Sequence, residues 1–309
     1  MITRRRLAAA SAALLVLALA PVAAADPCDD SLATCDFSQS SVVVPMDLDQ
    51  LTATIDVTDR NDNGMADERA LIDAILPEGY AVPARPQVAL QIVELYSGRK
   101  ELGARYGREG SVAVSAVHTA SGEEGWFHLS TPTDSQTAYD IGRPAGLPKT
   151  MMDSMTFDHD GERATASATL AGRTVFSMGF APTGGPVPGA LRDWTLVRDA
   201  YLLQNPPLEG GLYRLKYTVK PYLPLSDVAG PLAAPAAQPG LTALPEPRAG
   251  LVQYAVDPRT DAFDAGSPAP LRDVFPAGSD LSDLIPEAGT ALGAHVAAPV
   301  LLMIQQRDL

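Results

Sequence analysis

Two cysteines, two tryptophans and four histidines are all that 309 residues offer of the side chains that most often carry metal, redox or stacking chemistry. Cys28 and Cys35 stand close together near the N-terminus, and His118, His128, His159 and His295 are scattered, so no zinc-type ligand spacing occurs. Basic residues are also short, with 23 Lys and Arg against 37 Asp and Glu and a formal net charge of −14. That balance argues against nucleic acid as a partner, which needs a basic footprint. It argues equally against an anionic membrane surface. Beyond residue 25 no apolar run is long enough for a transmembrane helix. No Gly-x-Ser-x-Gly elbow occurs, which disfavours a serine hydrolase of that type. No internal repeat is visible.

What is present begins at the N-terminus. Arg4, Arg5 and Arg6 precede the apolar run Leu7 to Ala20, and Ala23-Ala24-Ala25 offers a small-residue cleavage site before Asp26. That pattern predicts a secretory signal peptide over residues 1–25 and a secreted, extracytoplasmic protein with no stable membrane association after cleavage. Thr3-Arg4-Arg5-Arg6-Leu7 also loosely matches a twin-arginine signal. An uncleaved anchor is the competing reading. In an oxidising compartment Cys28 and Cys35 predict a local disulfide pinning residues 26–40. A loop that short adds little global stability.

Strand signals dominate from about residue 41 to 220. Val88, Leu90 and Ile92 alternate with Ala89, Gln91 and Val93, the period of a strand. Residues 111–118 lead through Thr119 to Gly125 into Trp126-Phe127-His128-Leu129, a hairpin. Trp126 and Phe127 read as packing residues, and His118 and His128 as ordinary strand residues that flank this hairpin. Leu71, Ile72, Ile75 and Leu76 share a helical face closed by Pro77. A short helix is expected from Gln136 to Ile141, capped by Asp134 or Ser135 and ended by Gly142. Residues near 189–202 are read as a further helix. The Pro/Ala-rich stretch 221–250 reads as a surface connection, because proline lacks the ladder donor. Short strands follow at Ala291–Val296 and Pro299–Ile304.

The stretch with the most chemical content is Gly142-Arg143-Pro144-Ala145-Gly146-Leu147-Pro148-Lys149, followed by Thr150, Met151 and Met152. It sets one lysine between a Pro-Gly turn and two methionines, with no carboxylate adjacent in sequence. Desolvation disfavours an ammonium, and a neutral amine can attack a carbonyl to form a Schiff base. A solvated turn lysine is the other reading.

The order of these motifs resembles the acetoacetate decarboxylase family over about residues 41–309. The matching pieces are the helix ending at Leu71 to Pro77-Glu78-Gly79, the strand Val88 to Glu94, and the start Tyr106-Gly107-Arg108-Glu109. The Asp134 to Gly142-Arg143 helix, Leu147-Pro148-Lys149, and the region from Pro270-Leu271-Arg272-Asp273 to Ile304 complete the match. The resemblance implies a mainly β (α+β) fold, a closed antiparallel β-barrel with a few peripheral helices. The family's Schiff-base lysine points into it, and Lys149 matches that position. That lysine is a standing example of an amine activated by desolvation or a neighbouring cation.

The implied chemistry is attack on a small keto acid or related carbonyl compound, with the protonated imine as electron sink for decarboxylation. It requires no cofactor, and family members assemble as homo-oligomers. Glu109 stands near the family's active-site glutamate. Thr150 stands where the family has a second lysine, which leaves burial or Arg143 to activate the amine. The family's arginine on the first long strand is matched by Val57, with Arg60 as the nearest substitute, and a further carboxylate by Gln91. A carboxylate substrate then lacks an evident bidentate partner. Two functions follow: an exported Schiff-base lyase using Lys149, Glu109 and Arg143, or a non-catalytic secreted barrel that binds a small apolar or carbonyl-containing ligand.

Asp59-Arg60-Asn61-Asp62-Asn63-Gly64-Met65-Ala66-Asp67 is a separate constellation. Asp59, Asn61, Asn63 and Asp67 fall at loop positions 1, 3, 5 and 9 of a Ca²⁺ loop, with glycine at 6, and predict a structural Ca²⁺ clip. Position 12 is Ala70, where the bidentate carboxylate belongs. An Asn/Asp/Gly-rich turn that precedes the Leu71 helix is the competing reading.

Overall fold

The computed structural model describes residues 42–97, 105–120, 122, 124–142, 148–185, 197–203, 212–221, 247–258 and 275–308. Residues 1–25, Cys28, Cys35, Arg143 and most of the Pro/Ala-rich connection lie outside the described residues.

Among the described residues thirteen strands form one sheet. They are β1 (Val42–Asp56), β2 (Tyr80–Ala81), β3 (Gln87–Ser97), β4 (Arg105–His118), β5 (Glu124–Thr133), β6 (Lys149–Met151), β7 (Ser154–His159), β8 (Ala164–Leu170), β9 (Arg173–Pro182), β10 (Val197–Leu203), β11 (Leu212–Pro221), β12 (Arg248–Val256) and β13 (Ala288–Asp308). Helices α1 (Ala66–Ile75) and α2 (Gln136–Gly142) and one 3₁₀ turn, Leu281–Asp283, complete the elements. Among the described residues no helix is long and apolar enough to cross a membrane.

The path β1-β3-β4-β5-β10-β11-β13-β12-β9-β8-β7 curls round so that β1 also pairs with β13. The expected mainly-β architecture with few helices is present, but the sheet is a curled, open half-barrel and not a closed barrel. The reason lies in β13. One of its edges pairs with β1, while the other serves β12 along Ala288–His295 and β11 along Val300–Asp308. The sheet therefore divides there, and the β12-β9-β8-β7 arm folds back over the apolar face of β1, β3 and β4 instead of continuing the curl. Pairing is antiparallel except at β5–β10, which shares only two residue pairs, and at β5–β6. Residues 197–203 are strand where helix was expected, since pairing with β5 and β11 overrides their local pattern. The two short terminal strands expected near the C-terminus are one continuous strand, β13.

The two faces of β1, β3 and β4 differ in chemistry. Leu51, Ala53 and Ile55 of β1, Val88, Leu90 and Ile92 of β3, and Val112 and Val114 of β4 join one apolar core with Phe127, Met155, Phe157, Phe176 and Phe180. Helix α1 adds Ile72 and Ile75 to it. The opposite face carries Gln50, Thr52, Gln91, Ser111 and His128, all buried, with Ala89 and Ala294 packed against Trp126. A strand buried on both faces needs polar partners on the second, and these residues supply them for one another. Gly293 of β13 lies between Ala53 of β1 and Gly250 of β12. A Cβ on Gly293 would lie 2.1 Å from Val252 and 2.8 Å from the Thr52 carbonyl, so only glycine fits there.

Candidate active site

Lys149 begins β6, which lies parallel to β5 with Thr131 opposite Lys149. Glu109 lies on the other side of β5, opposite Thr133. Strands are spaced roughly 4.8 Å apart, so β4 and β6 stand about 10 Å apart across β5. Only two long side chains reaching towards each other close that gap. Lys149 Nζ meets Glu109 Oε2 at 2.6 Å. The lysine side chain is 2% exposed and the glutamate 25%. The amine is therefore tucked away from water, as a reactive lysine requires. The uncharged-amine expectation rested on burial and on having no carboxylate beside it; the first condition is met and the second is not, because Glu109, 40 residues earlier in the chain, supplies one.

The local structure fixes both partners. Ser135 caps α2 by accepting from Ala138 N at 3.2 Å. Asp134, the other expected cap, instead accepts from the Arg108 backbone N–H at 2.7 Å. Thr133 Oγ1 donates to the Arg108 carbonyl at 2.9 Å. The residue before Glu109 is thus held on both its polar groups. Gly107 has φ +153°, and a Cβ there would sit 2.3 Å from Ser135 Cβ, so glycine lets the start of β4 press onto the helix cap. Arg108 points to the apolar side, where it pairs with Glu94 at 2.7 Å and Asp134 at 3.4 Å and donates to the Met155 carbonyl. It does not face Lys149.

The Lys149–Glu109 pair continues into a row of polar side chains on one face. Ser111, two residues beyond Glu109, lies 2.7 Å from His128 Nδ1. Gln91 is opposite Ser111 and donates to Thr52 Oγ1 at 3.4 Å, and Gln50 donates to the same oxygen at 3.0 Å. His118 is elsewhere, in ring contact with Tyr80, so the two hairpin histidines do not meet. Val57 lies past β1 in the apolar core, and Arg60 pairs with Asp283 at 3.7 Å on the surface. Neither replaces the family's strand arginine. The β1 residues that share the face of Lys149 are Gln50 and Thr52. Gln91 of β3, paired with Thr52 and Ser111, shares that face. Their place follows from strand register, which a one-residue slip in β1 would invert.

Tyr106, three residues before Glu109, feels the charge of that carboxylate. Burial, and secondly the negative charge of Glu109, push its phenol up to about 12. It stays a protonated hydrogen-bond donor beside the pair. Its ordinary value is 10.0, so the folded state holds the proton more tightly than the unfolded chain. This stabilisation is fully present below about pH 10 and is lost as pH rises towards 12. We expect the urea midpoint of the wild type to fall relative to Tyr106→Phe above pH 10, and to keep a constant offset from it between pH 7 and 9.

The candidate Ca²⁺ loop is closed by its own hydrogen bonds. Asp59 accepts from Asn63 N at 3.1 Å and Gly64 N at 2.8 Å, and Asp67 Oδ2 accepts from the Asn61 and Asn63 amides at 2.9 Å each. Asn63 Oδ1 accepts from Ala66 N at the start of α1. Among the described residues no three His, Cys, Asp or Glu side chains gather as a metal site.

A curled mainly-β sheet with few helices is an acetoacetate decarboxylase-type fold, and the solved structures agree on that fold. Acetoacetate decarboxylase from Legionella pneumophila superposes with a TM-score of 0.55 at 12% identity, covering 86% of each chain. An acetoacetate decarboxylase-like enzyme from Sphingomonas wittichii RW1 gives 0.53 at 15% identity, covering 94% of this chain and 97% of its own. The enduracididine biosynthesis enzyme MppR, complexed with pyruvate, gives 0.50 at 14% identity, covering 85% of this chain and 89% of its own. These identities speak to the fold. Residues 67–197 match the acetoacetate decarboxylase (ADC) family, a stretch that contains both Glu109 and Lys149. No curated protein matches the sequence.

Proposed function

We propose that this chain is an exported lyase that forms a Schiff base through Lys149 with a small keto acid or related carbonyl compound. One observation carries the reading: a lysine amine 2% exposed and 2.6 Å from a carboxylate that keeps a quarter of its surface in water. Glu109 Oε2 is the nearest base for the proton that the ammonium must lose. The freed amine attacks the carbonyl carbon, a C–N bond forms, and the carbinolamine takes the proton back from Glu109 on its hydroxyl and loses water, leaving a protonated imine. The imine nitrogen then accepts the electron pair of the carbon–carbon bond that breaks, giving an enamine and, from a β-keto acid, carbon dioxide. Protonation of the enamine and hydrolysis return the free amine. The fold match to MppR, whose structure holds pyruvate, supports a small oxo compound as substrate. The basic and apolar run over residues 1–25 supports export.

The test is reductive trapping. The protein is incubated with acetoacetate, pyruvate or a 1,3-diketone, reduced with borohydride and mapped by mass spectrometry. We expect one adduct, on the peptide carrying Lys149, and none at that peptide in Lys149→Ala. No adduct on Lys149 at any pH up to 9 would assign the fold instead to a barrel that binds such ligands without reacting.

A further inference from the structure

Thr131 is the residue whose backbone is paired directly with Lys149, through the donation of Thr131 N to the Pro148 carbonyl at 2.9 Å and the register Thr131↔Lys149. Register partners project from the same face of a sheet. The threonine is 4% exposed, and among the described residues its Oγ1 has no hydrogen-bond partner. A buried hydroxyl left without a partner costs about 1–3 kcal/mol, and native folds rarely keep one without a reason. Thr133, two residues on, shows the alternative: its hydroxyl donates to the Arg108 carbonyl. The Thr131 hydroxyl therefore stands on the face of the Lys149 amine open to a group that the described residues do not supply.

The rest of the face has the same chemistry. Next to Lys149 and Glu109, which satisfy each other's charge, come the hydroxyl and imidazole of Ser111 and His128 at 2.7 Å. The amides of Gln91 and Gln50 converge on the Thr52 hydroxyl beyond them. The hydroxyls and amides carry no charge and both donate and accept, and the imidazole adds a ring nitrogen on either side. Such groups match the hydroxyls of a substrate, since each hydroxyl both donates and accepts.

We propose that the Lys149 site takes a hydroxylated carbonyl compound, with a hydroxyl next to the reacting carbonyl received by Thr131 Oγ1 and the Ser111–His128 pair lying further along. This rests on the Schiff-base reading and names its substrate class. A site with a buried hydroxyl partner discriminates strongly against an analogue that lacks the matching group, because the partner is then left unpaired.

Borohydride trapping with dihydroxyacetone and with acetone, on the wild type and on Thr131→Val, tests it. Valine keeps the shape and removes only the hydroxyl. We expect Thr131→Val to cut the initial rate of dihydroxyacetone labelling at Lys149 by about tenfold or more, the scale of one lost hydrogen bond. Acetone labelling should change by less than about twofold. Equal losses with both probes would mean that Thr131 only holds Lys149 in place, and unchanged rates would mean that its hydroxyl is idle; either overturns the proposal and leaves the Schiff-base reading standing. If neither these probes nor the keto acids label Lys149 in the wild type, the Schiff-base reading fails and the substrate class with it. Circular dichroism of Thr131→Val establishes that the variant is folded before the rates are compared.

Discussion

Replacing Glu109 by alanine is expected to cost about 3 kcal/mol of folding stability, and replacing both Glu109 and Lys149 by apolar residues should return most of it. The argument starts from burial. Lys149 is among the largest fully buried side chains, and its amine meets Glu109 at 2.6 Å. Removing one member of a buried pair leaves a charge without compensation, which typically costs 3–5 kcal/mol. The lower end applies here, because Glu109 keeps 25% of its side chain in contact with water and part of the pair is screened. Replacing both members by apolar groups of similar volume is often neutral or stabilising. Urea unfolding of Glu109→Ala, Lys149→Met and the double variant Glu109→Leu/Lys149→Met closes the cycle. A double variant at least as stable as the wild type would mean that the pair is kept for chemistry. Additive losses, with the double variant the least stable of the three, would mean that it is a structural clamp, and the catalytic reading would lose its main support. The same variants report on chemistry. Glu109→Gln keeps the shape but cannot take the ammonium proton, so its rate of imine formation should fall by about 10²–10⁴.

What was legible in the sequence and what was not divide along the range of the interactions. The alternation of Val88, Leu90 and Ile92 with Ala89, Gln91 and Val93 is a local signal, and it places the first set in the apolar core. Helix α2 is legible for the same reason, since its cap and its glycine stop lie within seven residues of each other. Its neighbours left Lys149 open to two readings, buried amine or solvated turn lysine, and the side chain is buried. The carboxylate on it was not legible, because Glu109 meets it across an intervening strand with no periodicity linking the two positions. Where Val57 lies is also a matter of register. Asp56 ends β1, so Val57 falls past the strand into the core, while Gln50 and Thr52 share the face of the amine. The open curl depends on β13 serving two strands along one edge, a long-range choice that residues 288–308 do not announce. Residues 197–203 are strand because β5 and β11 flank them, which their own pattern of apolar residues does not reveal.

The strongest interaction that no local pattern foretold is centred on Asp49, and Asp49→Ala is expected to be among the most destabilising single changes in the chain. Asp49 is 3% exposed. Its Oδ1 lies 2.6 Å from His295 Nε2, and its Oδ2 lies 2.8 Å from His159 Nε2. Arg248 contacts His295 Nδ1 and the Gly161 carbonyl, and its guanidinium lies 5.9 Å from the Phe180 ring centre. A guanidinium only donates, so His295 Nδ1 must accept, and its proton therefore sits on Nε2 and is donated to Asp49. The network ties β1, the end of β7 with its turn, β12 and β13 together, beside Phe157 and Phe180. Alanine at 49 removes the acceptor from two imidazoles at once. His295 is 2% exposed and cannot turn to water for a replacement. Two charge-assisted hydrogen bonds at about 1.5–3 kcal/mol each put the loss at about 4 kcal/mol. Asp49→Asn should lose only about 1–2 kcal/mol, since its amide oxygen still accepts from His295 and its NH₂ group can donate to the other tautomer of His159. The two variants should differ in urea midpoint with unchanged slope. Asp49 belongs to the face of Leu51, whereas Gln50 beside it belongs to the face of Lys149. Folded Asp49→Asn should therefore label at Lys149 like the wild type. A loss below about 1 kcal/mol in Asp49→Ala would show the imidazoles reaching other partners and the network contributing little to the fold.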